Sequence, residues 1–120
     1  MKKYLGILIL FVSFSINAQS MAEKFNVKKY AKQQTEMIKS TLDLSDSMYD
    51  DLYNANLAKA YSVKKHIVLF ELEGKTKGKT LKQVIADVNI MAEKASDYEN
   101  DLHHVLGSEL FEKYMAKFGE

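Results

Sequence analysis

Residues 49–73 read YDDLYNANLAKAYSVKKHIVLFELE, and this uninterrupted stretch decides the fold. Its apolar side chains recur every three or four residues, the spacing that places them on one side of an α-helix. The stretch contains neither glycine nor proline, the residues that most readily interrupt a helix. We therefore predict a helix from about Asp46 to Glu73. Its apolar stripe consists of Tyr49, Leu52, Tyr53, Leu57, Ala60, Val63, Ile67 and Phe70.

Residues 67–72 are the one place where a strand is a competing prediction, because they are rich in β-branched and aromatic residues and are apolar on both sides. The helical stripe that begins at Tyr49 continues through them without a change of period. A single strand would also leave its backbone N–H and C=O groups without partners. We therefore assign these residues to the helix.

Three other segments have the same periodicity, and they cover about residues 26–41, 80–106 and 108–118. Ser45 is a candidate N-cap for the helix of residues 46–73. Thr80 and Gln83 have the spacing of a capping box, and Gly107 is a natural stop or bend. Since the chain has no proline to break long helices, the sequence predicts an all-α fold.

The first 18 residues have the pattern of a secretory signal peptide. Lys2 and Lys3 give a positive start, residues 4–14 are apolar apart from Ser13, and small residues lead to a cleavage site after Ala18. The apolar run of ~11 residues is shorter than the roughly 20 that span a membrane, which disfavours an uncleaved anchor. We expect a signal peptide at 1–18, a single helical domain at 19–120, and a periplasmic or secreted location.

Composition limits the classes of partner. The chain has no cysteine, so packing rather than disulfides must hold the fold together. Removal of Lys2 and Lys3 with the signal peptide leaves fifteen lysines against sixteen acids, a net charge of −1. Arginine, the preferred residue for bidentate phosphate and base contacts, does not occur. We therefore expect no binding to nucleic acid.

Residues 74–80, GKTKGKT, resemble a phosphate-binding loop only superficially. That motif requires four residues between its glycines and a preceding β-strand, whereas Gly74 and Gly78 are separated by three residues. Adjacent acids such as Asp50 and Asp51 diverge by about 100° on a helix and cannot act on one substrate. No segment has the pattern of a strained nucleophile turn. We expect neither a nucleotide site, nor a cofactor, nor enzymatic activity.

A metal site is the alternative prediction from these side chains. Glu99 and His103 are four residues apart and therefore share a helix face, and His104 is adjacent. Imidazole and carboxylate groups could hold a divalent metal if a second helix or subunit supplied more ligands. A solvated polar face would have the same composition.

Two segments resemble the LTxxQ motifs of the Spy/CpxP-like periplasmic proteins. The first runs from Leu44 through Ser45 to Met48, and the second from Leu106 through Gly107 to Leu110. In the family, a leucine and a capping threonine open a helix and a glutamine closes its first turn. Here Gly107 lacks the capping hydroxyl, and Met48 and Leu110 occupy the glutamine positions.

The resemblance implies an elongated, antiparallel four-helix protein that pairs into a curved homodimer. Family members act as ATP-independent chaperones that hold unfolded chains, as envelope-stress regulators, or as heavy-metal sensors. We therefore expect a binding protein that holds unfolded or partner chains on a helical surface. Its candidate client-binding residues are Tyr49, Tyr53, Phe70, Phe111, Tyr114 and Phe118.

Overall fold

The computed structural model describes residues 20–119, which form an all-helical structure. Its α-helices are α1 (Met21–Lys24), α2 (Val27–Leu42), α3 (Tyr49–Leu72), α4 (Leu81–Ala95) and α5 (Tyr98–Phe118). A short 3-10 helix, Asp46–Met48, leads into α3. No strand occurs among these residues, and residues 67–72 are helical as predicted. The predicted signal peptide lies outside the described residues.

The helix ends confirm the predicted capping box at Thr80 and the predicted N-cap position of Ser45. The Thr80 hydroxyl accepts a hydrogen bond from the Gln83 backbone N–H at 3.2 Å, and the Gln83 side chain accepts one from the Thr80 N–H at 2.9 Å. This capping box begins α4 as predicted. Ser45 occupies the predicted N-cap position, before the 3-10 helix Asp46–Met48, but its side chain makes no capping bond. Its hydroxyl is instead 2.9 Å from the hydroxyl of Ser47.

The helix predicted over residues 80–106 is two helices, so this prediction is wrong. The first of them, α4, ends at Ala95, and Asp97 then adopts a left-handed conformation with φ of 57°. The Ser96 hydroxyl donates to the carbonyl groups of Ala92 and Glu93, at 2.9 and 3.2 Å. Such local side-chain bonds favour helix ends, and aspartate tolerates the left-handed region better than most residues.

The bend predicted at Gly107 is confirmed. Gly107 has φ of 78° and ψ of 167°, so the helical path of α5 is interrupted at this residue. This combination of angles is essentially restricted to glycine, because a side chain would be strained against the peptide groups of its own residue. The α5 segments on either side of Gly107 correspond to the end of the third predicted helix and to the fourth.

Helix α3 is the centre of the fold and contacts each of the other four helices. Burial of apolar side chains against its two halves produces two hydrophobic clusters, and this burial is the main source of stability. The first cluster contains Ala22, Phe25, Val27, Ala31, Ala60, Val63, Ile67, Val84, Val88 and Ala92. The second contains Ile38, Leu44, Leu52, Ala55, Tyr98, Leu102 and Leu106.

Candidate binding surface and polar layer

The C-terminal half of α3 presents apolar side chains to solvent. Tyr61 is 55% exposed and Leu72 is 79% exposed, and Val68 and Leu69 are each exposed by about two-fifths. With about 100° of rotation per residue, Tyr61, Val68 and Leu72 lie on one side of the helix, opposite the buried Val63 and Ile67. We call the surface formed by Tyr61, Val68, Leu69 and Leu72 the outer face.

Cationic side chains lie within and beside the outer face. Lys65 is exposed one turn after Tyr61, and Lys64 is half-buried at the edge of the surface. Further exposed apolar residues occur on neighbouring helices, namely Met37 on α2 and Ile90 and Met91 on α4. The outer face therefore combines apolar contact area with positive charge.

The predicted client-binding aromatics of α3 are half-buried rather than fully exposed. The rings of Tyr49 and Tyr53 stack on each other with centroids 6.3 Å apart. Tyr53 and Phe70 pack against the first hydrophobic cluster, and Lys75 lies over the Phe70 ring at 5.1 Å. These side chains contribute to packing and leave only part of each ring for a partner.

The predicted aromatics of α5 form a second group. Phe111, Tyr114 and Phe118 stack in sequence, with centroid separations of 6.3 Å and 5.0 Å. All three pack against the second cluster and are half-buried. Five of the six predicted residues are therefore divided between the two clusters, and Tyr49 packs on Tyr53 without belonging to either cluster. Their role in client binding stays a prediction.

Sequence reasoning missed the outer face, although a signal for it was present. The predicted stripe of α3 contains most of its buried apolar residues, and Tyr61, Val68 and Leu72 lie outside the stripe. Residues 67–72 are apolar on both sides of the helix, and a helix that buries one side needs only one apolar stripe. Apolar residues left over after the stripe is assigned would have identified this surface.

The two motif-like segments meet in the second cluster. Leu44 and Leu106 are buried members of this cluster, and Met48 and Leu110 pack against it. Ser45 and Gly107 are exposed. The apolar motif positions thus contribute to one shared core, whereas the capping positions face solvent.

A buried polar layer lies between the two hydrophobic clusters. Asn56 and Thr35 are completely buried, and the Asn56 amide donates a hydrogen bond to the Thr35 hydroxyl at 3.0 Å. Thr35 in turn donates to the carbonyl of Ala31 at 2.7 Å. The Tyr98 hydroxyl donates to the Asn56 side-chain oxygen. These bonds connect α2, α3 and α5, and they satisfy the polar groups that burial removes from water.

Lys59 brings a charge into this layer. Its side chain is only 5% exposed, and its ammonium lies 2.9 Å from the Glu93 carboxylate of α4. The same ammonium lies over the ring of Tyr98 at 4.7 Å and over that of Tyr30 at 5.8 Å. A carboxylate and two aromatic rings therefore compensate the loss of hydration.

A cleft of about 330 Å³ opens beside the polar layer, where the end of α4 meets α5. Burial and, to a smaller extent, the nearby Glu93 carboxylate together raise the pKa of Tyr114 to about 12. Burial likewise raises the pKa of Tyr98 far above its ordinary value. Both phenols are therefore neutral donors at physiological pH. The acidic and aromatic residues that line the cleft are Glu93, Asp97, Tyr98, Glu99, Tyr114 and Phe118.

The predicted metal-binding residues do not form a ligand set within one chain. His103 packs edge-on against Phe111 at 5.1 Å, and its Nε2 atom is 3.3 Å from the Ser108 hydroxyl. Within residues 20–119, no group of three His, Asp or Glu side chains is placed to hold a metal ion. A site that combines Glu99, His103 and His104 with ligands from a second subunit stays a prediction.

Across the same range, no helix is both long and apolar enough to cross a membrane.

Comparison with known proteins gives no assignment, since no protein-family model, curated sequence or solved structure matches the chain. The resemblance to Spy/CpxP-like proteins therefore rests on the two motif-like segments.

Proposed function

We propose that this protein is an ATP-independent, holdase-type chaperone or envelope-stress binding protein that acts outside the cytoplasm. It would hold unfolded or partner chains on the helical surface that includes the outer face of α3. The exposure of Tyr61, Val68, Leu69 and Leu72 is the observation that carries the proposal. The predicted signal peptide supports a periplasmic or secreted location.

The composition of the outer face suits an unfolded client. Unfolded chains expose apolar side chains, and covering such groups on both partners removes them from water. A contiguous apolar surface on an otherwise charged protein is typical of an interaction site. Lys65 within this surface adds attraction for acidic segments while keeping the surface hydrated. Contacts of this mixed kind favour reversible holding over tight, specific recognition.

We further propose that the chain is a divergent Spy/CpxP-like protein with the family's four-helix antiparallel arrangement and homodimeric assembly. The packing of Leu44, Met48, Leu106 and Leu110 into one cluster supports equivalent structural roles for the two motif-like segments. Light scattering coupled to gel filtration tests the assembly. Twice the mass of the chain is expected, and a compact monomer would contradict a shared cradle.

Suppression of client aggregation tests the chaperone proposal directly. We expect the wild-type protein to reduce light scattering by a reduced, aggregating client near one-to-one stoichiometry, without ATP. The double variant Tyr61→Gln/Leu72→Gln should suppress aggregation less well, because it removes the two most exposed apolar side chains of the outer face. Both positions are exposed, so helix content and melting temperature should change little.

The matched control is Met37→Gln/Met91→Gln, which removes two exposed apolar side chains outside the outer face. This control should retain most of the suppression. The proposed surface is wrong if both double variants behave alike. The chaperone function itself is wrong if wild-type protein has no effect at tenfold excess over the client.

A further inference from the structure

The cleft beside the polar layer combines acidic and aromatic groups. Glu93, Asp97 and Glu99 contribute carboxylates, and the half-buried Tyr114 and Phe118 contribute ring surface. Lys94 is the lining residue of opposite charge. The volume of the cleft, about 330 Å³, is at the lower end of the range for small-molecule sites.

The protein already binds one ammonium group with members of this lining. The Lys59 ammonium pairs with Glu93 at 2.9 Å and lies over the Tyr98 ring at 4.7 Å. Lys59 itself is not part of the cleft lining, so it approaches Glu93 and Tyr98 from the core. The cleft therefore offers to solvent the Glu93 carboxylate, which also holds an ammonium inside the fold, whereas the Tyr98 ring is buried.

The Glu93 carboxylate retains capacity for another donor. Lys59 and the Asn89 amide both contact its Oε1 atom, at 2.9 and 3.2 Å. Both of these contacts are made to Oε1, and the Glu93 side chain is 25% exposed. A carboxylate has two oxygens that can each accept more than one hydrogen bond. A second ammonium can thus bind Glu93 without displacing Lys59.

We propose that this cleft binds a small organic ammonium compound, such as an aliphatic amine or diamine. Glu93 would accept a hydrogen bond from the ammonium, and Asp97 and Glu99 would offset the repulsion from Lys59 and Lys94. Tyr114 and Phe118 would cover the methylene chain. This site is separate from the outer face, so its proposal does not depend on the chaperone function.

Calorimetric titration of the purified protein with 1,4-diaminobutane tests the site, and 1,4-butanediol is the neutral control of equal length. We expect the diamine to bind at least tenfold more tightly than the diol at low ionic strength, because only the diamine makes charge-assisted hydrogen bonds. Added salt should weaken diamine binding, since the outer carboxylates are exposed.

The test variant is Asp97→Asn/Glu99→Gln, which should weaken diamine binding at least fivefold. Asparagine tolerates the left-handed backbone of residue 97, so the fold should be kept. The control Glu109→Gln/Glu112→Gln removes the same charge from exposed positions of α5 outside the cleft and should change binding less than twofold.

Nα-acetyl-lysinamide distinguishes the two sources of an alkylammonium. Equal or tighter binding than the diamine would identify a lysine side chain of another protein as the ligand, and weaker binding would identify a free amine. Three results would overturn the site: no diamine binding below about 10 mM, equal binding of the diol, or equal effects of the two double variants.

Discussion

Glu93→Gln and Lys59→Met are expected to have unequal effects on stability, although the two side chains form one ion pair. The Lys59 side chain is 5% exposed, whereas that of Glu93 is 25% exposed. Glu93→Gln leaves a buried ammonium without its counter-charge. Lys59→Met leaves a carboxylate that water can still reach, and it places an apolar chain of similar length in the core.

The magnitudes follow from this difference in burial. An uncompensated buried charge costs about 3–5 kcal/mol when its partner is removed. Glutamine keeps one oxygen acceptor, and the Tyr98 ring at 4.7 Å attracts the ammonium by about 0.5–2 kcal/mol. We therefore expect Glu93→Gln to lower the free energy of unfolding by ~2–3 kcal/mol. For Lys59→Met we expect a loss below ~1 kcal/mol, because desolvation of the ammonium no longer opposes folding.

Urea unfolding followed by far-ultraviolet circular dichroism at neutral pH measures these differences. The dependence on urea concentration should be the same for all variants, so that shifts of the midpoint report stability. The double variant Lys59→Met/Glu93→Gln should be close to Lys59→Met alone, since it contains no unpaired buried charge. Lys65→Met, at an exposed position of α3, is the control for removal of a lysine. A loss for Lys59→Met as large as that for Glu93→Gln would refute this reasoning.

Three further predictions concern individual residues. Gly107→Ala should lower the free energy of unfolding by about 1–3 kcal/mol through backbone strain alone, because a Cβ atom there would meet no neighbouring side chain. Ser108→Ala is the control in urea unfolding, and an equal loss of stability in both variants would argue against strain at Gly107. Thr80→Ala should lower the free energy of unfolding by about 1 kcal/mol and Thr80→Ser by much less, since only alanine removes the capping oxygen. Equal losses in the two variants would argue against a stabilising cap. Because burial raises the pKa of Tyr114 to about 12 and that of Tyr98 further, the folded state binds more protons above pH ~10 than the unfolded state. The contribution of these neutral phenols to the free energy of unfolding is complete below the unfolded-state pKa near 10 and is lost as the pH rises towards 12. Tyr114→Phe should reduce this alkaline loss of stability in melting experiments. An unchanged loss would exclude the Tyr114 phenol as its source.

Local signals allowed much of the helical structure to be predicted from the sequence. The capping box of Thr80 and Gln83 and the bend at Gly107 depend on residues close in sequence, so their chemistry is visible without a fold. The stripe of α3 was also predictable, because periodic apolar residues require a core. The break at Asp97 was not, since the apolar stripe continues across it and only the Ser96 side chain marks the end of the helix.

The candidate sites depend on contacts between distant residues, which the sequence does not display. Asn56 and Lys59 lie on the buried side of α3 because Thr35, Tyr98 and Glu93 from three other helices satisfy them. In the sequence alone, Asn56 and Lys59 are polar residues that interrupt the apolar stripe of α3, so their burial is not evident. The outer face has a sequence signal, because Tyr61, Val68 and Leu72 are apolar residues outside the α3 stripe, but which aromatic rings the core covers depends on packing between helices.

The polar layer sets the register between α2 and α3. A slide by one helical turn, about 5.4 Å, would still bring apolar residues of the two helices together. It would, however, separate Asn56 from Thr35, and each buried polar group left unsatisfied costs about 1–3 kcal/mol. The hydrophobic clusters therefore drive the association of α2 and α3, while the hydrogen bond between Asn56 and Thr35 favours one register of the two helices over the others.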